Sequence, residues 1–137
     1  MPGAFLLVGR AAYAPAMSKK RILLIDNRPE HLRQPVLRLQ LEGYEVEEAP
    51  DGDTGIEMLR SGRFHLVLLD AELPGSDGWE TLREIREDEA LAGLKIIVFM
   101  AAQGETGKLV LIPVDAELRR PFPIGELLEK VKQVLGD

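Results

Sequence analysis

Four short apolar runs, Ile22–Ile25, Leu66–Leu69, Ile96–Phe99 and Leu109–Val114, recur along the chain with no polar residue alternating through them, the last broken by Pro113; a fifth segment, Tyr44–Ala49, alternates more. A strand that is apolar on both faces has to be covered on both faces. That requirement is met by a parallel sheet with helices on either side. Between the runs stand apolar residues at helical spacing: Leu32, Val36 and Leu39; Ile56 and Leu59; Leu82 and Ile85; then Leu127, Val131 and Val134. Strands and helices therefore alternate, and an α/β domain of three layers follows. Two helices carry breakers. Pro35 lies six residues after Pro29, so the first helix should kink or start late. Gly104 and Gly107 on one side and Pro113 on the other leave too little chain for an ordinary helix before the last strand, so that fourth helix is expected to be degraded.

A chain of 137 residues reads as one domain able to bury roughly two-thirds of its unfolded surface. Residues 19–137 carry the pattern. Residues 1–18, with small residues, two prolines and only Phe5–Val8 as an apolar run, read as a disordered N-terminal tail, and Met17 is a candidate start. Nothing approaches the ~20 apolar residues of a membrane span. The 23 acidic against 17 basic residues leave a net charge of −6, and the longest basic cluster is Lys19–Arg21. Binding to nucleic acid by charge is therefore not expected, and protein partners or small ligands are favoured. Without cysteine there is neither a disulfide framework nor thiolate chemistry, which is compatible with a cytoplasmic protein. His31 and His65 alone do not make a histidine metal site.

In open parallel sheets, ligands sit beyond the carboxyl ends of the strands, where the strand order reverses. Asp26 closes the run "LLID", and Asp70 closes "LVLLD" before the turn through Pro74, Gly75 and Gly78. If these two strands are neighbours, their carboxylates converge, and such a pair suits a hard cation such as Mg²⁺. The same acids could instead cap a loop or a helix start, and spacing does not choose between the readings.

The order "ILLID", "LVLLDAELPGSDGWETLREIR" and "RRPF" closely resembles the receiver domain of bacterial response regulators, over Lys19 to Leu135. The resemblance implies a flavodoxin-like (CheY-like) fold, five parallel strands in the order 2-1-3-4-5, and a role in two-component phosphorelay signalling rather than an enzyme. Asp70 then matches the phosphoacceptor and Asp26 the first member of the acidic pair. The implied metal donors are Asp26, Asn27, Asp70 and the backbone carbonyl of Glu72. A histidine kinase or other signalling protein and a downstream protein are the implied partners.

Four of the six expected functional positions depart from the family pattern. Asn27 stands where a second acid is expected, Met100 where a switch hydroxyl is expected, Glu117 where an aromatic is expected, and Arg120 where a lysine precedes Pro-Phe. An amide oxygen can ligate Mg²⁺ but brings no charge, so any binding should be weak. A thioether cannot donate to a phosphoryl group. Arg120 keeps the cation, yet its planar fork suits a carboxylate better than a small phosphoryl oxygen. Arg28 and Glu72 are nearby charges that could pair with each other. The leading expectation is an atypical receiver acting through protein contact, with phosphorylation at Asp70 impaired or lost and no output domain attached. A conventional Mg²⁺-dependent receiver comes second. A haloacid dehalogenase-like phosphotransferase rests only on "DAE" at Asp70, and a flavin-binding reading only on fold class.

Overall fold

The computed structural model describes residues 19–27, 32–72, 78–101 and 112–137. Among them the elements run β1 (Arg21–Ile25), α1 (Arg33–Leu41), β2 (Glu45–Ala49), α2 (Gly52–Ser61), β3 (Leu66–Asp70), α3 (Gly78–Glu87), a 3₁₀ turn (Glu89–Leu91), β4 (Lys95–Met100), β5 (Ala116–Arg119) and α4 (Ile124–Leu135). The five strands are parallel and lie in the order β2-β1-β3-β4-β5, the flavodoxin-like arrangement expected from the sequence.

Side chains of the central strands alternate between two cores. Leu23, Ile25, Val67, Leu69, Ile96 and Val98 face a layer that includes Ile56, Leu59, Leu82 and Ile85 of α2 and α3. Ile22, Leu24, Leu66, Leu68, Ile97 and Phe99 face Val36, Leu39, Leu127 and Val131 of α1 and α4. All of these strand residues are buried to within 1 % of complete exclusion, which is why the runs show no polar alternation. β2 is an edge strand, and its exposed glutamates fit that place.

Pro35 lies in the first turn of α1, where a backbone N–H has no partner within the helix, so it costs no hydrogen bond. The helix is described from Arg33; residues 28–31, on which the expected late start turns, lie outside the described residues.

The fifth strand departs from expectation. It is Ala116–Arg119; of the expected run Leu109–Val114, residues 109–111 lie outside the described residues and 112–114 form no strand. Pro113 brings no N–H to a ladder, and the pairing opens only when the Asp115 N–H donates to the Ile96 carbonyl at 2.8 Å. The Asp115 carboxylate meanwhile accepts from the Ile96 N–H (2.8 Å) and from Arg86 (3.1 Å), while Arg86 also donates to the carbonyls of Pro113 and Leu94. This staple fixes where β5 starts. The degraded fourth helix expected before it falls largely on residues 102–111, and the tail on residues 1–18, both outside the described residues.

Candidate functional site

The register pairs Ile25 of β1 with Leu69 of β3, so Asp26 and Asp70 emerge side by side at the carboxyl end of the sheet. This is where the order reverses, since β1 lies between β2 and β3. Both acids are almost fully buried, at 3 % and 1 % exposure. The Asp26 N–H donates to the Ala49 carbonyl of β2 at 3.1 Å. Asp70 is held by its own loop: its Oδ1 accepts from the Glu72 N–H at 2.8 Å.

Gly78 is what lets α3 begin so close to this loop. A Cβ there would lie 2.6 Å from backbone atoms of Ala71, nearer than real Cβ atoms come, and would also strike the Asp70 carbonyl.

Among the described residues the cation of the site is Arg120. Its guanidinium reaches both acids, with nitrogens 3.7 Å from Asp26 Oδ2 and 3.6 Å from Asp70 Oδ1. Three features hold it there. Its N–H donates to the Met100 carbonyl at 2.9 Å, its guanidinium lies 5.6 Å from the Phe99 ring centre, and Phe99 stacks on Phe122 with centres 5.4 Å apart. Aromatic support of this kind attracts a cation and fixes its plane. Nothing in one sequence pairs Phe122 with Phe99. The available signal was the alternation of β4, which sends Phe99 to the face shared with α4.

The remaining positions are less closely assembled. Met100, at 1 % exposure, packs in the core on the α2 and α3 face, in the same apolar cluster as Trp79. Glu117 pairs in register with Val98, and its Oε1 stands 3.9 Å from Arg119 Nε, an ion pair at the limit of contact. Arg119 also reaches the Ala101 carbonyl at 3.4 Å. Asn27 is exposed at the rim. The Glu72 carboxylate accepts a long hydrogen bond (3.4 Å) from the Ala101 N–H, and its expected partner Arg28 lies outside the described residues. His65 accepts at Nδ1 from the Arg21 N–H at 2.9 Å.

These donors are a poor fit for a divalent cation. Among the described residues no group of three or more His, Cys, Asp or Glu side chains stands together as a metal cluster. The two carboxylates that do converge already share a guanidinium, whose charge opposes an incoming cation. Among the same residues no helix is long and apolar enough to cross a membrane.

Comparison with known proteins bears on the family of the chain. The model for the response regulator receiver domain matches residues 22–132. Curated relatives include the transcriptional regulatory proteins YkoG and ResD of Bacillus subtilis, each 31% identical over 121 residues and covering 87% and 86% of the chain. The phosphate regulon transcriptional regulatory protein PhoB of Pseudomonas aeruginosa is also 31% identical over 121 residues. The chain spans about half the length of these relatives, 52%, 49% and 53% respectively. Their role in transcription gives no support to the expectation that nucleic acid plays no part. Among solved structures, a CheY-like receiver domain protein of Methanospirillum hungatei is 30% identical with a TM-score of 0.78, over 87% of this chain and 95% of that one. The response regulator TrrA of Thermotoga maritima, solved in complex with Mg(2+)-BeF, is 36% identical with a TM-score of 0.75, over 85% and 99%. With its fold, the two acids at its switch point and a family match over most of its length, the chain belongs to the response regulator receiver domains, the signalling modules of two-component systems.

Proposed function

We propose that this receiver is atypical: it acts through protein–protein contact, and phosphorylation at Asp70 by a histidine kinase or other donor is impaired or lost. The observation that carries the reading is the Arg120 guanidinium, 3.7 and 3.6 Å from the carboxylates of Asp26 and Asp70. A phosphoryl group is transferred to a carboxylate only if the charge that develops is neutralised. Among the described residues the cation at the site, Arg120, is already engaged by both acids, and Asn27 offers an amide where a third charge would attract a metal. Weak Mg²⁺ binding through Asp26, Asn27, Asp70 and the Glu72 carbonyl belongs to the same reading. With Met100 in place of a hydroxyl donor, a phosphoryl group at Asp70 would have little to hold on β4, so it could bias a change of state only slightly. Contact with the downstream protein is then constitutive, in the cytoplasm.

A conventional Mg²⁺-dependent phosphoacceptor is the second reading. It is favoured by the survival of Asp26 and Asp70 side by side and by the Mg(2+)-BeF complex of TrrA. Intact mass after incubation with Mg²⁺ and acetyl phosphate separates the two. The atypical reading expects the unmodified mass in the natural chain and a gain of one phosphoryl group in Asn27→Asp. A stoichiometric gain in the natural chain, absent from Asp70→Asn, would establish the second reading instead.

A further inference from the structure

The opposite pole of the sheet carries an open groove of about 600 Å³, within the range of about 300–1,000 Å³ usual for small-ligand sites. Its position is set by strand polarity. Lys95 opens β4, which ends at Met100, and His65 precedes β3, which ends at Asp70, so the groove lies a full strand length from the acidic pocket.

The groove has an apolar floor and a cationic rim. Leu59, Phe64, Leu91 and Leu94 form the floor, closed on one side by Val134 and Leu135 of α4. The charged and titratable residues that line it are Lys20, Arg60, Arg63, His65 and Lys95, with no Asp or Glu. In a chain of net charge −6 that is a local inversion of sign. Lys20 is paired with Asp137 at 2.8 Å and Arg60 with Asp88 at 2.9 Å. Arg63 and Lys95 are exposed and enter no ion pair among the described residues.

The groove is also preformed. The His65 N–H donates to the Arg21 carbonyl at 2.8 Å, and the His65 carbonyl accepts from the Lys95 N–H at 3.4 Å. Arg21 donates to the Arg63 carbonyl at 3.2 Å and lies 4.5 Å from the Phe64 ring centre, fixing the aromatic part of the floor. A rigid apolar floor with unpaired cations at its edge recognises one chemistry best. Apolar area supplies the affinity, and a single charge orients the ligand.

We propose that this groove binds a small amphiphilic anion, a carboxylate carried on an apolar body such as a medium-length acyl chain. The apolar body lies on Phe64, Leu91 and Leu94, and the carboxylate meets Arg63 and Lys95. A polyanion would gain nothing from the apolar floor. The size of the groove fits a small molecule better than a protein surface.

The test is an amide chemical-shift titration of the full chain with octanoate, below its micelle-forming concentration, and with neutral 1-octanol. The expected result is saturable shifts centred on residues 59–65 and 90–95, with 1-octanol several-fold weaker. In Arg63→Glu/Lys95→Glu, both changes being at exposed positions, octanoate affinity should fall by about tenfold or more. Gly93→Leu provides an independent block. Gly93 lines the groove, and a Cβ there meets nothing within 4 Å, so the added side chain should fill the groove without disturbing the fold. Equal binding of 1-octanol, unchanged affinity in the charge-reversed chain, shifts centred instead on Leu37 and Leu41, the large apolar residues that α1 leaves exposed, or no saturable shift would each overturn the proposal.

Discussion

Replacing Arg120 with glutamine should tighten Mg²⁺ binding, and the structure sets the scale. Each carboxylate stands 3.6–3.7 Å from a guanidinium nitrogen. A unit pair at that separation is worth about 4–5 kcal/mol gross at an effective dielectric of 20. The Arg120 side chain is 29% exposed, so solvent screening and the cost of ordering a long side chain reduce each pair to roughly 1–1.5 kcal/mol. A cation that comes to the same two acids must give up both pairs, or about 2–3 kcal/mol, which converts to a gain of about 30- to 150-fold in affinity when Arg120 is removed. Glutamine keeps a polar side chain and removes the charge. Arg38→Gln is the control, because it changes net charge equally while Arg38 pairs only at the surface, with Glu42. Titration calorimetry at one ionic strength on the natural chain and both variants provides the measurement. If Arg120→Gln binds Mg²⁺ no more tightly than Arg38→Gln, the guanidinium does not compete for the pocket and the electrostatic reasoning fails.

Gly78→Ala should lower stability by roughly 1–3 kcal/mol or more in urea unfolding, because the new methyl meets backbone of Asp70 and Ala71 rather than a side chain that can swing away; an unchanged midpoint would mean that the loop after β3 yields freely. Phosphoryl mimicry at Asp70 should leave the amide shifts of residues 117–128 almost unmoved in the natural chain and move them in Met100→Thr, which supplies the missing donor; large shifts in the natural chain would show that the switch works without it. At the other pole, the Lys20 ammonium and the Tyr44 hydroxyl hold the Asp137 carboxyl below its usual range. A lowered folded-state value gives stability that is present above the unfolded carboxyl's value of about 3.9 and lost as pH falls through the folded one, so Asp137→Asn should be less stable than the natural chain at neutral pH and converge with it in acid, as read by denaturant midpoints at both.

The strand runs were legible because burial on both faces leaves a compositional trace. Ile22–Ile25 and Leu66–Leu69 need no alternation once helices cover both sides, and this was enough to specify a parallel three-layer sheet and to bring Asp26 and Asp70 to one end of it. Composition misled at the fifth strand. Leu109–Val114 looked like a strand by composition, yet among the described residues the ladder begins at Asp115, whose carboxylate is tied to Arg86 and Ile96 by contacts that cross from one element to another.

What the sequence determined by itself was therefore local and periodic: which segments are apolar on one face or two, where prolines and glycines interrupt, and which residue types stand at strand ends. What only the tertiary structure decided was pairing. Arg120 could be read from the sequence as a cation with a taste for carboxylates, but its position between Asp26 and Asp70, supported by the Phe99–Phe122 stack, depends on the register of β1, β3, β4 and β5 together. The same holds for the groove around Phe64, whose cations come from three separate stretches of chain. Charge acts through distance in space, and distance between residues far apart in sequence exists only once the sheet is assembled.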